Sequence, residues 1–344
     1  MRITKKTMAW VLALCMVAGI FFGICWGGKN GASQVLAKEK SFSKLHVEGT
    51  HLCNEKGKTV QLRGISSHGL AWFPQYVNKK LFKELHDKWG ANAVRLALYT
   101  EEYAGYCTGD KNSRKELRKL VRKGVKYATE AGLYVIIDWH ILSDGNPKKN
   151  QSYAKSFFRM MSKEFKDQNN VIYELCNEPN GGTDWKNIKS YANKIIPIIR
   201  KNDEDAIVIV GTPTWSQDLE RALESPLNYD NVMYTFHFYS ATHKADMRKR
   251  VKAVLKAKLP VFVTEFGISE ASGNGRISKS GGKKWLDLFD QYGVSYIAFN
   301  LSNKDESCAL IKSSCQKVNG LKRSDLSAFG KWYYDLLRKK AGKK

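Results

Sequence analysis

Prolines, cysteine pairs and acidic residues are all scarce in this sequence of 344 residues. Seven cysteines show neither a Cys-x-x-Cys pair nor the Cys/His spacing of a metal site, so we expect no metal and no cofactor. Seven prolines form no proline-rich linker, which argues against an appended second domain. The sequence also lacks a phosphate loop and an arginine-rich arm, and we expect no nucleic-acid partner.

Acidic residues number 33 against 57 lysines and arginines, which gives a formal net charge of +24. Such an excess favours electrostatic adhesion to anionic surfaces such as wall polymers or phospholipid. The lysines are scattered over the polar faces of predicted helices, however, and we interpret them mainly as a solvated basic surface.

Five cysteines follow residue 37, and an odd number in an exported chain leaves at least one unpaired. Cys308 and Cys315 are close enough in sequence to close a small loop. Cys176 falls within a predicted strand and is expected to pack as a core thiol. We interpret all five as free or structural thiols: Cys53, Cys107, Cys176, Cys308 and Cys315.

One long uncharged run, Met8–Trp26, follows Lys5 and Lys6. This pattern predicts a secretory signal with cleavage after Ala37. The run also reaches bilayer-spanning length, so residues 1–37 are either a signal peptide or an N-terminal membrane anchor. Either alternative places residues 38–344 outside the cell, secreted or at the cell surface.

Eight short β-branched and aromatic runs alternate with amphipathic stretches such as Arg114–Gly132 and Trp185–Asp203. This alternation predicts one α/β domain, a (β/α)8 TIM barrel over residues 38–344, which we expect to be a monomer. A hairpin over Leu45–Leu62, with Asn54–Gly57 as its turn, is expected to cap the barrel floor, and a helix over Ser324–Lys340 is expected to complete the barrel. The predicted strands are Val60–Ser66, Ala93–Tyr99, Tyr134–Trp139, Val171–Cys176, Ile207–Gly211, Val232–Phe238, Val261–Glu265 and Val294–Leu301.

Polar and aromatic residues follow almost every predicted strand, where the carboxyl ends of a barrel converge on one pocket. Glu178 and Glu265 end the fourth and seventh strands and therefore face each other across the barrel. Such a placement can bring the two carboxyl groups to about 5–5.5 Å from each other. One protonated and one ionised carboxyl group at that distance suit glycoside hydrolysis with retention of configuration. The other candidates at strand ends are His68, Arg95, Tyr99, Asp138, His140, Asn177, Thr214, Trp215, His237, Tyr239 and Phe299.

Several motifs in this chain resemble those of glycoside hydrolase family 5, in the branch of secreted bacterial endoglucanases. They are Ala93–Thr100 (AVRLALYT), Val135–Leu142 (VIIDWHIL), Asn177–Pro179 (NEP), Phe236–His243 (FHFYSATH), Thr264–Gly267 (TEFG) and Ala271–Gly275 (ASGNG). The resemblance runs from about Gly64 to Leu310. It implies a cofactor-independent, retaining endo-β-1,4-glucanase that acts on cellulose or mixed-linkage β-glucan.

The resemblance also implies a role for each site residue. Glu178 would be the general acid/base and Glu265 the nucleophile, held ionised by Arg95 and Tyr239. The expected substrate contacts are Asn177 to a sugar 2-hydroxyl, His140 and His237 at the reacting subsite, His68 at the neighbouring sugar, and Lys304 and Glu306. Phe299 stands where the family has a tryptophan, so weaker binding at that subsite or a shifted substrate choice is expected.

Aromatic side chains near the strand ends are candidates for stacking on the flat faces of sugars: Trp72, Tyr99, Trp139, Trp215 and Phe299. Glu174 precedes Glu178 by four residues, so in an extended strand both side chains point to the same side. It is predicted to be a structural carboxylate paired with Arg63 or Arg95. Three alternatives remain open at this point. They are a mannanase, xylanase or xyloglucanase of the same family, a non-catalytic glycan-binding protein, and a basic nucleic-acid binder.

Overall fold

The structure, a computed structural model, describes residues 42–343 and contains a closed barrel of eight parallel strands. Around the barrel each strand pairs with the next one in the chain, and the last barrel strand pairs with the first. The predicted (β/α)8 barrel is therefore confirmed. The barrel strands are β3 (Arg63–Ser67), β4 (Ala93–Tyr99), β5 (Tyr134–His140), β6 (Val171–Glu174), β7 (Val208–Val210), β8 (Val232–Tyr239), β9 (Val261–Gly267) and β10 (Tyr296–Leu301).

Helices connect successive strands and cover the outside of the barrel. They are α1 (Lys79–Glu84), α2 (Lys111–Ala131), α3 (Gln151–Glu164), α4 (Trp185–Arg200), α5 (Pro213–Ser216), α6 (Leu219–Glu224), α7 (Ala245–Lys256), α8 (Lys279–Gln291) and α9 (Ala328–Lys340). Within residues 42–343 no helix is both long and apolar enough to cross a membrane. The predicted signal peptide or anchor, residues 1–37, lies outside the described residues.

Helix α2 shows how local sequence sets these elements. The Asp110 side chain accepts a hydrogen bond from the Ser113 backbone N–H and caps the first turn. Gly132 ends the helix with φ of +84°, a left-handed conformation that glycine adopts without a Cβ clash. Leu117, Val121 and Val125 are buried at helical spacing against the barrel, while the lysines face outward.

A small antiparallel hairpin, β1 (His46–Glu48) and β2 (His51–Cys53), precedes the barrel. Its Leu45 and Leu52 pack with Leu62, Ile136 and other apolar side chains that fill the lower barrel interior, so the hairpin covers the floor as predicted. The turn of the hairpin is at Gly49, with φ of +59°, and not at Asn54–Gly57. The Asn54–Gly57 turn instead leads the chain back to a single bridge with Cys53.

The first barrel strand begins three residues later than predicted. The backbone N–H of Val60 donates to the carbonyl oxygen of Leu52, 2.7 Å away, so Val60 belongs to the hairpin layer. The barrel ladder starts only where Arg63 pairs with Tyr296 of β10. Hydrophobic periodicity is the same in both layers and therefore could not locate this boundary.

The last described helix, α9, packs on the seam where the barrel closes. The Tyr333 hydroxyl donates to the carbonyl oxygen of Gly64 in β3 at 2.9 Å. Near the start of α9, Gly330 lies so close to the preceding chain that a Cβ atom there would be 1.9 Å from the Leu310 carbonyl oxygen. Glycine is therefore required for this close approach.

We expect Gly330→Ala to lower the free energy of unfolding by about 2 kcal/mol, because α9 must move off the seam to admit the added methyl group. Lys339→Ala, at an exposed position of the same helix, should change it by less than about 0.5 kcal/mol. Chemical denaturation of the three proteins provides the measurement. Equal stability of Gly330→Ala and the parent would contradict the described packing of α9.

Candidate active site

A pocket of about 340 Å³ opens at the carboxyl ends of the barrel strands. A second hollow lies beside it, and Glu178, Trp215 and Tyr239 line both. Most of the residues predicted from the strand ends meet here. The larger pocket is lined by His68, Trp72, Tyr99, Glu102, His140, Leu142, Glu178, Trp215, Tyr239, Glu265, Ala271, Ser272, Gly273, Phe299, Lys304, Glu306 and Cys308.

Glu178 and Glu265 face each other across this pocket. One carboxylate oxygen of each lies within 4.8 Å of the other, and a ring nitrogen of His237 lies within the same distance of both. Glu265 is 4% exposed and the Glu178 side chain 12% exposed. The two acids predicted on opposite strands are therefore brought together, and both side chains are largely buried.

Arg95 joins the acids below the pocket floor and is completely buried. Its Nε and Nη2 donate to the two oxygens of Glu174 at 2.7 and 3.0 Å, which is the bidentate arrangement of an ionised carboxylate. Its Nη1 donates to Glu265 Oε2 at 3.3 Å, and Nη2 lies 3.0 Å from Asp138 Oδ2. One guanidinium group thus ties strands β4, β5, β6 and β9 together.

Glu174 is the buried structural carboxylate that the sequence predicted, and its partner is Arg95. The alternative partner, Arg63, is wrong because Arg63 lies at the amino end of β3. There its guanidinium donates to the Tyr296 hydroxyl at 3.1 Å and lies 3.5 Å from Asp290.

Glu265 also accepts a hydrogen bond from the Tyr239 hydroxyl, 2.7 Å from Oε1. Both donors expected for this carboxylate, Arg95 and Tyr239, are therefore in place. Burial nevertheless raises the pKa of Glu265 to about 7, and the nearby Glu178 adds to the shift against the effect of Arg95 and Tyr239. Burial raises the pKa of Glu178 further, to about 8. Arg95 and Tyr239 both donate to Glu265 and favour its ionised form, whereas the side chain of Glu178 contacts the neutral His237.

His237 links Glu178 to the barrel interior. Its Nδ1 lies 2.9 Å from Glu178 Oε1 and its Nε2 lies 2.9 Å from the Thr264 hydroxyl. Burial lowers the pKa of His237 to about 4, so the ring is neutral near pH 7. Glu178, His237 and Glu265 are compact enough to be considered as metal ligands, but both ring nitrogens already have hydrogen-bond partners. The expected absence of a metal or cofactor stays a prediction.

The opposite wall contains His140, which is 2% exposed. Its Nδ1 lies 2.6 Å from Asp138 Oδ2, so the carboxyl group of Asp138 fixes the orientation of the ring. Tyr99 packs on His140 with ring centroids 3.9 Å apart, and the Phe299 ring lies nearly parallel to the imidazole at 6.2 Å. These rings form one aromatic side of the pocket.

The rim opposite Glu178 is polar. Glu306 Oε2 pairs with Lys304 Nζ at 2.5 Å, and its Oε1 lies 3.6 Å from His68 Nε2. The thiol of Cys308 donates to Glu306 Oε1 at 3.1 Å. Cys308 and Cys315 are both free, so they do not close a disulfide loop.

Trp215 projects from an unusual turn beside Glu178. Thr214, Trp215 and Ser216 have φ of +57°, +55° and +57°, so the short element α5 is a left-handed turn built without glycine and not a regular right-handed helix. This conformation is strained for a β-branched residue such as Thr214. The indole of Trp215 is 44% exposed and stands at the pocket edge, where an extended ligand can stack on it.

The prediction that Trp139 stacks on a sugar is wrong because of the direction of its side chain. Trp139 is fully buried and packs outward against Tyr106 and Phe157, because neighbouring residues Asp138 and His140 occupy the inward positions of β5. Trp139 is therefore not a stacking platform.

Asn177 has no exposed surface and does not line the pocket. Its oxygen accepts from Arg95 Nη2 at 2.7 Å, and its nitrogen donates to the Ile141 carbonyl oxygen at 3.1 Å. One amide hydrogen remains without a partner among the described contacts, so its contact with a sugar stays a prediction.

The polar pocket residues that were not named as candidates from the sequence include Glu102, Gln217, His243 and Cys308. Glu102 follows the end of β4 by three residues, so a wider window at each strand end would have included it. The others are placed by loops after β7, β8 and β10, whose paths the strand pattern does not define.

The model of the cellulase family, glycosyl hydrolase family 5, matches residues 53–305. This range contains both acids and the strands that present them. The chain belongs to glycosyl hydrolase family 5.

Curated relatives of this family member include endoglucanase A of Butyrivibrio fibrisolvens, 44% identical over 299 residues. That alignment covers 87% of this chain and 69% of the relative. An endoglucanase of Clostridium saccharobutylicum is 42% identical over 327 residues, covering 95% of this chain and 71% of the relative.

Solved structures give the same assignment. Cellulase Cel5C_n superposes with a TM-score of 0.81 at 41% identity, covering 86% of this chain and 91% of that chain. The catalytic domain of Thermobifida fusca endoglucanase Cel5A, in complex with cellotetraose, gives a TM-score of 0.80 at 36% identity. It covers 86% of this chain and 97% of that chain.

We expect Glu178→Gln to stabilise this family 5 hydrolase at pH 8 and to have little effect at pH 4. In the unfolded chain the carboxyl group of Glu178 ionises above its ordinary pKa of about 4.5. In the folded protein its pKa is raised to about 8, so the group stays protonated up to about pH 8. The parent therefore loses stability over this range, and the amide variant does not. The expected gain in Tm at pH 8 is about 2–4 °C.

Thermal unfolding of both proteins between pH 4 and 8 provides the measurement. Glu204→Gln, at an exposed position, is the matched control and should show no pH-dependent gain. A Glu178→Gln protein that is less stable than the parent at pH 8 would contradict the crowded, buried site described above.

Proposed function

We propose that this protein is a retaining endo-β-1,4-glucanase that cleaves internal bonds of cellulose or mixed-linkage β-glucan, with Glu178 as acid/base and Glu265 as nucleophile. The observation that carries the proposal is the approach of their carboxylate oxygens to within 4.8 Å across an open pocket. Retaining glycosidases hold their two carboxyl groups about 5–5.5 Å apart, whereas inverting enzymes leave about 6.5–9.5 Å for a water molecule. The short separation favours retention.

In the first step Glu265 attacks the anomeric carbon while Glu178 gives its proton to the glycosidic oxygen. The bond from the anomeric carbon to the leaving sugar breaks, and a covalent bond to Glu265 forms. In the second step Glu178, now a carboxylate, takes a proton from water. The resulting hydroxide attacks the same carbon from the other face and releases Glu265.

The environment of the two acids supports these roles. The first step requires Glu265 ionised and Glu178 protonated, and the second step requires Glu178 as a carboxylate. Burial raises the pKa of both carboxyl groups, to about 7 for Glu265 and about 8 for Glu178, so a proton stays in the site near neutral pH. Arg95 and Tyr239 donate to Glu265 and orient it toward the pocket.

The pocket lining supports an extended sugar polymer as substrate. Trp72, Tyr99, Trp215 and Phe299 present ring faces or edges to the pocket, and stacking on sugar faces suits such rings. Hydrogen-bonding side chains lie between these rings. We assign contacts with sugar hydroxyls to His68, His140, His237, Lys304 and Glu306, which line the two hollows, and to the remaining amide hydrogen of buried Asn177.

We further propose that the enzyme acts outside the cell, either secreted or held at the surface by residues 1–37. The charge of +24 supports electrostatic association with an anionic wall.

Glu178→Gln and Glu265→Gln should each fold and lose nearly all activity on carboxymethyl-cellulose, a fall in kcat of at least about a thousandfold. Each substitution removes a group whose proton or electron pair has no substitute in the pocket. Release of reducing ends measures the activity, and thermal unfolding verifies folding. Glu204→Gln is the control, and substantial turnover by either active-site variant would reject the roles.

The first product released should have the β configuration at its new reducing end, since two displacements restore the original geometry. NMR of early products from barley β-glucan would establish the anomer, and an α product would end the retaining assignment. Parallel assays on mannan, xylan and xyloglucan test the same-family alternatives. Glucan binding without reducing ends would instead indicate a non-catalytic glycan-binding protein.

A further inference from the structure

Thr264 is buried directly before Glu265 on β9. The pairing of β8 with β9 shifts between Thr235 and His237, which pair with Phe262 and Glu265 respectively. Strand β9 therefore carries one extra residue here, a bulge that turns two consecutive side chains toward the barrel interior. The bulge places the Thr264 hydroxyl beneath the pocket while Glu265 reaches into it.

The Thr264 hydroxyl has three close polar partners. It lies 2.7 Å from Glu174 Oε1, 2.9 Å from His237 Nε2 and 2.5 Å from the Thr235 hydroxyl. On the other side of the imidazole ring, His237 Nδ1 lies 2.9 Å from Glu178 Oε1. A continuous chain of hydrogen bonds thus runs from the pocket acid through His237 and Thr264 to buried Glu174.

A count of hydrogens gives this chain a direction. A hydroxyl group has one hydrogen to donate, and Glu174 accepts it. Burial raises the pKa of Glu174, but its bidentate pair with Arg95 favours the ionised form, which can only accept. Because Thr264 then has no hydrogen left for His237, Nε2 must carry the hydrogen and donate to the Thr264 oxygen. A neutral imidazole protonated at Nε2 has a bare Nδ1, which can only accept a hydrogen from Glu178.

We propose that Thr264 is a positioning residue for the proton on Glu178, because its hydroxyl fixes His237 in the Nε2–H tautomer and leaves Nδ1 to accept from the acid form. The inference rests on the proposed function and extends it to a residue that touches neither substrate nor reacting atoms. Thr264 acts through His237, and Glu174 supplies the acceptor that orients the hydroxyl.

The charges around the acid agree with this arrangement. Burial raises the pKa of Glu178 to about 8 and lowers that of His237 to about 4, so the proton of the pair stays on Glu178. Of the groups facing Glu178, Arg95 opposes its protonation and the neighbouring carboxyl groups favour it. The titratable and charged groups that face Glu178 are Arg95 and Tyr99 on β4, Asp138 on β5, Glu174 on β6, His237 and Tyr239 on β8 and Glu265 on β9.

The tautomer can be read in the free parent enzyme, without substrate, from nitrogen-15 NMR of the histidine rings near pH 6.5. The His237 signal is assigned by its loss in His237→Asn. We expect hydrogen on Nε2 only. A signal from the Nδ1–H tautomer, or from a doubly protonated ring, would overturn the proposal whether or not glucan is hydrolysed.

Thr264→Val removes the acceptor for Nε2–H while nearly keeping the volume of the side chain. His237 should then switch to the Nδ1–H form, which donates to the Glu178 carboxylate and favours its ionisation. We expect the alkaline limb of the pH profile of kcat/KM to move down by about one pH unit, which is about a tenfold loss of activity on that limb. Thr264→Ser retains a hydroxyl group and should restore the parental profile and tautomer.

Thr212→Val is the matched control, because Thr212 is as buried as Thr264. The Thr212 hydroxyl donates to the Thr235 carbonyl oxygen and takes no part in the hydrogen bonds that connect Glu178 with Glu174. Thr212→Val should leave the limb unchanged. A uniform loss in Thr264→Val at every pH would assign Thr264 a purely structural role and overturn the proposal. If Thr264→Val fails to fold, the parent tautomer and the Thr264→Ser profile decide the question. Parent enzyme inactive on every glucan would reject the proposed function instead, and the NMR result would stand separately.

Discussion

The buried guanidinium group of Arg95 is the interaction on which the active site depends. It contacts Glu174, Asp138 and Glu265, three carboxyl groups on three other strands. One buried cation cannot neutralise three acidic partners, and Asp138 Oδ1 has no hydrogen-bond partner among the described residues. Burial raises the pKa of all three carboxyl groups against the effect of Arg95, to about 7 for Asp138 and Glu265. Burial with too little positive charge therefore keeps protons in the site, and glycoside hydrolysis requires a proton on one acid.

The barrel could be predicted from sequence because its signal is repeated. Eight buried runs separated by amphipathic helices allow few other topologies, and the closed order of strands follows from that alternation. The errors in the predicted strand and turn boundaries lie where the hairpin and the barrel have the same local sequence pattern. Val60 continues the apolar alternation of β3 but bonds to Leu52 in the hairpin. The turn at Gly49 competes with a second strong turn signal at Asn54–Gly57, and the sequence contains no measure of which one closes the hairpin.

The site was predictable to the extent that strand ends define it. Glu178 and Glu265 meet because parallel strands deliver their last residues to the same face. The prediction that Trp139 stacks on a sugar was wrong because it used only the position near a strand end. Asp138 and His140 point inward, so the alternation along β5 turns Trp139 outward. The part that sequence could not supply is the bulge in β9, since it depends on pairing between two strands. The sequence pattern alone therefore does not predict the hydrogen bonds that connect Thr264 with Glu178 through His237.

The seam between β3 and β10 has a consequence for biosynthesis. Arg63 pairs with Tyr296, and the Tyr333 hydroxyl reaches back to Gly64 across 269 positions of the chain. The ring of strands therefore cannot close while the ribosome is still making the last quarter of the polypeptide. Until then the edge of β3 that pairs with β10 stays unsatisfied, and this long-range pairing favours slow folding.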